Sequence, residues 1–182
     1  MMKALINIDY TNDFVATDGA LTCGEVGQKI ENAIVRITEE FIINGDYVVF
    51  AVDCHDKGDN YHPESKLFPP HNIRYTIGRE LYDELNAVYL GNRCDPNVHW
   101  IDKTRYSAFA GTDLELRLRE RGITEIHVVG VCTDICVLHT VIDAYNKGFS
   151  VVVHKDAVAS FNQAGHDWAL KHFVNVLGVK VV

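Results

Sequence analysis

Cys136 lies in Gly130-Val-Cys-Thr-Asp-Ile-Cys136-Val, where a β-branched run passes into an amphipathic stretch. A thiol in or near the first turn of a helix meets free main-chain N–H groups and the positive end of the helix dipole, and both favour a thiolate nucleophile. The same N–H groups can stabilise an oxyanion. Asp9 ends the apolar run Leu5-Ile6-Asn7-Ile8. A carboxylate there can take a thiol proton and return it to a leaving amine. Lys103 follows Ile101-Asp102. An ammonium close to a carboxylate and a thiol would hold them charged and oriented. Cys132 and Cys136 are separated by three residues, not two, so the spacing is not that of a redox pair.

Asp53-Cys54-His55 puts two ligand types at i and i+2. On an extended segment those side chains share a face and Cys54 points away. With His71 downstream, and Glu64 or His62 as a further donor, this makes an oxygen-and-imidazole site for one divalent ion. Zinc is the first choice, and iron or manganese suit the same donors. Taken singly, each residue has a plainer reading. Cys136 can be a buried structural thiol, Asp9 a cap or turn residue, and Lys103 a surface lysine. His55 and His71 can be solvated in a polar loop. His99, His127, His139, His154, His166 and His172 fall within regular elements and read as structural, and Cys23, Cys54 and Cys94 receive no role.

Positioning these residues requires a scaffold, and the apolar pattern supplies one. Strands are expected at 5–8, 47–52, 98–102, 126–131, 151–153 and 179–182. Helices are expected at 24–44, 78–87, 134–147 and 165–177. Another opens on the capping-box pattern Thr112-Asp-Leu-Glu115 and ends at Gly122. The stretch from Cys54 to about Thr76 reads as irregular. Strands apolar on both faces and joined by helices predict a three-layer α/β/α fold with a mostly parallel sheet of about six strands. Residues 1–182 read as a single domain. Ligands bind such sheets at the carboxyl ends of the strands, and Asp9, Asp53, His55, Lys103, Cys132 and Cys136 all fall there.

The chain has 182 residues with 17 Lys and Arg against 25 Asp and Glu, a net charge of −8. That balance argues against a nucleic acid partner. No apolar stretch approaches the roughly 18 residues a membrane span requires, and the N-terminal run is too short for a signal peptide. Five cysteines without export features point to reduced thiols in the cytoplasm. A homo-oligomer is expected of an enzyme this size.

Four segments in order resemble the isochorismatase-like cysteine hydrolases, and within them the nicotinamidase branch, over essentially the whole chain. They are Ile8-Asp9-Tyr10-Thr-Asn-Asp13-Phe14, Val52-Asp53-Cys-His55 with His71, Lys103-Thr-Arg-Tyr106-Ser-Ala-Phe109, and Gly130-Val131-Cys132-Thr133-Asp134-Ile-Cys136-Val. The resemblance implies a triad of Asp9, Lys103 and Cys136. It implies metal ligands Asp53, His55 and His71, with Glu64 at a loop position where some nicotinamidases add another. It implies a cis peptide between Val131 and Cys132, an oxyanion hole from the amides of Cys132 and Cys136, and a ring pocket of Phe14, Phe68 and Tyr106. Phe68 departs from a tryptophan found in some relatives. The implied reaction converts nicotinamide to nicotinic acid and ammonia through a thioester on Cys136, in salvage toward NAD, with pyrazinamide as an analogue. The metal is expected to hold the pyridine nitrogen. Competing readings are a relative acting on a carbamoyl amide or vinyl ether, which lacks this metal set, and a non-catalytic metal- or ligand-binding protein of the same fold. A flavodoxin-like carrier lacks support, because no phosphate loop follows the first strand.

Overall fold

The computed structural model describes residues 2–182. Six strands, β1 (Ala4–Ile8), β2 (Tyr47–Asp53), β3 (Val98–Lys103), β4 (Glu125–Val131), β5 (Ser150–Ala159) and β6 (Lys180–Val181), form one sheet in the order β3-β2-β1-β4-β5-β6. Every neighbouring pair is parallel. The chain winds outward from β1 through β2 to β3. It then returns to lay β4 on the other side of β1 and continues through β5 to β6. The order reverses between β1 and β4, and a crevice opens at the carboxyl ends of strands on either side of such a reversal.

β1 and β2 are buried at every position, which is why both read as largely apolar runs, Asn7 and the terminal Asp53 apart. Their residues alternate between two layers. Ala4, Ile6, Ile8, Tyr47, Val49 and Ala51 pack beneath α5 (Leu114–Glu120), α6 (Leu138–Asn146) and α7 (Gln163–Asn175). Leu5, Val48, Phe50 and Val52 pack beneath α3 (Glu31–Ile43) and α4 (Asp83–Asn92). Two short helices, α1 (Asn12–Val15) and α2 (Glu25–Gln28), lie between β1 and α3. The three-layer architecture is the expected one, and the sheet is parallel throughout. No helix among the described residues is long and apolar enough to cross a membrane.

Several boundaries differ from those the sequence suggests. The helix expected over 24–44 is broken into α2 and α3. The Tyr10 hydroxyl donates to Gly27 O at 2.8 Å and takes the carbonyl that a continuous helix would offer to the amide four residues on. The helix expected at 78–87 is displaced: Ile77–Arg79 form a 3₁₀ turn and α4 begins at Asp83. The intervening strip is pinned in an extended form, with Asn12 N–H bonding Glu80 O at 2.9 Å and Tyr82 N–H bonding Tyr10 O at 3.0 Å. The capping box does not close. Thr112 Oγ1 accepts from Leu114 N–H at 3.3 Å, but the Glu115 carboxylate turns outward to Lys147 and Arg119. β5 is longer than 151–153 because its register shifts against β4 between Val128 and Gly130 and resumes to Ala159.

Gly130 shows how tightly β1 and β4 are joined. It pairs with Ile8, has φ +117°, and a Cβ built on it would stand 2.0 Å from Ile8 O. Main chain blocks the space and the backbone angle disfavours any side chain. Gly130→Ala is expected to lower unfolding stability by about 3 kcal/mol or more, measured by urea denaturation. A loss under about 1 kcal/mol would show that the two strands separate easily there.

Candidate functional site

The crevice gathers side chains from four strand ends. Asp9 follows β1 with φ 53°, a left-handed angle uncommon outside glycine. Three hydrogen bonds hold it. Its N–H donates to Ala51 O at 3.1 Å, its carbonyl accepts from Thr11 N–H at 2.8 Å, and Oδ1 accepts from Asp53 N–H at 2.7 Å. The carboxylate is thereby aimed across the tips of β2 and β3. Lys103, the last residue of β3, is fully buried and meets it. Its Nζ lies 2.7 Å from Asp9 Oδ2, 3.3 Å from Asp53 Oδ1 and 3.6 Å from Cys136 Sγ.

Cys136 sits one turn before α6, in a π-helical turn over Thr133–Val137. Within that turn the N–H groups of Ile135 and Val137 both bond Cys132 O, at 3.0 and 3.2 Å. The N–H of Cys132, just before the turn, finds no main-chain acceptor. The peptide between Val131 and Cys132 is cis. Side chains clamp the turn from outside: Thr133 Oγ1 is 2.8 Å from His166 Nδ1, and Ser160 Oγ donates to Asp134 Oδ1 at 2.6 Å.

The electrostatics follow from burial set against one cation. Burial pulls the Lys103 ammonium down, but Asp53 and Asp9 outweigh it and hold the pKa well above the usual lysine value. Burial pushes Asp53 up, and Lys103 together with the imidazoles of His55 and His71 brings it well below the usual carboxylate range. For Asp9 burial prevails over Lys103 and leaves the pKa at about 6. Burial pushes the Cys136 thiol well up, against the pull of Lys103. The thiolate expected at the helix start is therefore not the resting form. Desolvation inside the crevice exceeds what the helix end supplies.

A second cluster adjoins the first through Asp53. Donor atoms of Asp53, His55, Glu64 and His71 all lie within 4.8 Å of one another, and all four residues are buried. His55 Nε2 is 2.8 Å from Asp53 Oδ2, and His71 Nε2 is 3.5 Å from both Asp53 Oδ2 and Glu64 Oε2. Tetrahedral zinc with bonds of ~2.0–2.1 Å would set its donors about 3.3 Å apart, so the spacing fits a metal ion. His71 Nδ1 lies 2.8 Å from Pro69 O and donates to it, which leaves Nε2 facing the cluster. That nitrogen is buried without a hydrogen-bond partner. Burial lowers the His71 pKa, but Asp53 and Glu64 lift it to about 10. The cluster is thus a concentrated anionic site that takes either a proton or a metal ion.

Of the two further donors open in the sequence, the structure gathers Glu64 and not His62. Both His62 nitrogens are spent: Nε2 donates to Thr104 O at 2.8 Å and Nδ1 accepts from Glu64 N–H at 3.3 Å. His62 holds Glu64 in place, and its ring lies 4.1 Å from that of His55. Two more supports carry no motif of their own. Arg79 Nε donates to Asp53 O at 2.8 Å and Asp13 Oδ2 accepts from Asn72 N–H at 2.7 Å, fixing the residues beside two donors. Asp13 belongs to a quoted segment, but nothing in the sequence ties it to a loop near residue 72.

Phe14, Phe68 and Tyr106 line a cavity beside Cys136, and Leu21, Ile135 and Phe161 complete its apolar wall. The cavity measures about 10 Å³, barely one water molecule's room. A ring-sized ligand therefore requires the rim to open. Phe161, 46% exposed, stands on the solvent side of that wall.

Known proteins resemble this chain over its whole length. The chain is 68% identical over 181 residues to PncA of Bacillus subtilis, an isochorismatase-family protein, covering 100% of this chain and 99% of that one. The crystal structure of nicotinamidase/pyrazinamidase PncA from Bacillus subtilis matches with a TM-score of 0.99 at 63% identity, over 100% of both chains. Pyrazinamidase of Pyrococcus horikoshii, solved in complex with zinc, matches with a TM-score of 0.86 at 30% identity, over 100% of this chain and 99% of that one. The sequence model of the isochorismatase domain runs from residue 3 to residue 181, leaving neither the sheet nor the crevice outside it, and the chain is a member of that family.

Proposed function

We propose that this protein is a metal-dependent amidohydrolase that converts nicotinamide to nicotinic acid and ammonia through a thioester on Cys136. One observation carries the reading. The buried Lys103 ammonium touches Asp9, Asp53 and Cys136 at 2.7, 3.3 and 3.6 Å, tying a base and a thiol to a metal-binding cluster in one crevice. The named relatives support the substrate class, and the zinc complex of one supports zinc as the ion. The product would feed NAD resynthesis.

The groups divide the work by protonation state. At neutral pH Asp9 is ionised, with its pKa at about 6, while Cys136 keeps its proton. The nucleophile is made only as it is used. Asp9 accepts the Sγ proton while the S–C bond forms at the carboxamide carbon. The amides of Cys132 and Cys136, at the start of the turn that carries the thiol, receive the developing oxyanion. Lys103 stays protonated and offsets the charge that Asp9 and Sγ exchange. Asp9 passes its proton to the departing ammonia, leaving the thioester. It then takes a proton from the water that splits the thioester, and the thiol regains its hydrogen. When bound, the metal ion held by Asp53, His55, Glu64 and His71 supplies an anchor for the ring nitrogen, so that the carboxamide faces Sγ. Phe14, Phe68 and Tyr106 close on the ring.

Metal-loaded wild-type protein is expected to release ammonia from nicotinamide, and Cys136→Ala to reduce that rate by about 10³-fold or more. No release from metal-replete wild type would move the substrate to another small amide or make the protein a binding module. Asp53→Ala and His55→Ala are each expected to leave the purified protein without stoichiometric metal by elemental analysis; a full complement in either would reject the ligand assignment. Lys103→Met is expected to slow carboxamidomethylation of Cys136 at neutral pH by about tenfold, because the one nearby group that lowers the thiol pKa is gone. An unchanged rate, followed at Cys136 by mass spectrometry, would remove Lys103 from that role.

A further inference from the structure

The metal-binding cluster has a cavity on each side. The one beside Cys136 is walled mostly by apolar side chains and measures about 10 Å³. The other measures about 140 Å³, and His55, Glu64 and His71 line it, three of the four donor residues. Only Glu64 and Phe68 border both. The larger cavity has a polar mouth with Asp59, Asn60 and Ser65, and Cys136 does not reach it. Of its two aspartates, Asp56 is paired with Arg74 at 2.8 Å. Asp59 accepts only the Tyr61 N–H at 2.8 Å and keeps its charge unpaired toward solvent. His71, whose Nε2 is buried without a hydrogen-bond partner, lines the same cavity.

We propose that this cavity is the door through which the metal ion reaches and leaves its donors, separate from the door used by substrate. A divalent ion travels with water attached, and stripping it against an apolar wall is costly. The Cys136 side has room for barely one water, whereas one water needs only about 10–15 Å³ of a cavity measured in this way. The outer cavity accommodates several, so ligand exchange can proceed stepwise, with water giving way to His55, Glu64 and His71. Asp59 at the mouth raises the local cation concentration. The metal's route is therefore separate from the crevice that substrate and thioester occupy.

The inference rests on the reading of Asp53, His55, Glu64 and His71 as metal donors, and the experiment separates the two. Zinc loading of the apoprotein and zinc release to a chromogenic chelator are timed by stopped flow, alongside the equilibrium affinity. Asn60→Trp places a ring across the mouth without touching a donor. A blocked door slows loading and release by the same factor, expected to be about tenfold or more, and leaves the affinity unchanged. Carboxamidomethylation of Cys136, in a background where the exposed Cys94 is serine, fills the opposite cavity and is expected to change neither rate. Asp59→Asn is expected to slow loading about two- to fivefold at low salt, with the difference shrinking as salt rises. Unchanged rates in Asn60→Trp, or rates slowed by alkylation instead, would overturn the separate door and leave the donor assignment standing. Failure of the wild type to bind zinc, iron or manganese would overturn both.

Discussion

A single buried ammonium organises this protein. Lys103 has no access to solvent, and an isolated charge so placed would cost more than a domain's net stability can offset. It is kept by two carboxylates on different strand ends, Asp9 and Asp53, each as buried as itself. None of the three can be buried alone. The tips of β1, β2 and β3 are thus locked together by charge as well as by the ladder. The same arrangement hands Asp53 a second duty, since its other oxygen faces His55 and His71. Function and cohesion draw on one set of atoms.

The scaffold explains why that set can be held so closely. In a parallel sheet all carboxyl ends lie on one edge, so residues distant in sequence arrive side by side. Reversal of strand order between β1 and β4 opens that edge where the thiol must stand. Gly130 permits the approach of β4 to β1, and the π-helical turn after β4 presents Cys136 to the crevice. Around this centre a layer of polar side chains grips main chain rather than substrate. Arg79 holds Asp53 O, Asp13 holds Asn72 N–H, and His62 holds Glu64 N–H.

Much of this was legible in the sequence because the signals were local. Apolar runs marked the buried strands, and a polar residue at the end of each run marked the sheet edge. The Asp-x-His pair with His71 marked the anionic cluster. What escaped depended on contacts between distant segments. The break between α2 and α3 is made by a hydroxyl from residue 10, and α4 is delayed by backbone pairing with residues 10 and 12. Leu21, Ile135 and Phe161 join the cavity wall from three separate segments. The thiol's protonation reversed the local expectation because the depth of its burial is a property of the whole fold, while the helix-end argument sees one turn.

The central place of β1 also sets an order of assembly. Its partner on one side, β2, follows after one crossover of three helices, but Ala4 must wait for Ile126 to gain its other neighbour. Asp9, Lys103 and all four residues of the anionic cluster lie within the first 103 residues. On a growing chain the charges can therefore meet before Cys136 exists. Until β4 arrives, the free edge of β1 presents a row of unpaired main-chain groups on a strand apolar at all but Asn7, a template for wrong pairing. The strand that anchors the finished crevice is thus the one left unguarded longest while the protein is being made.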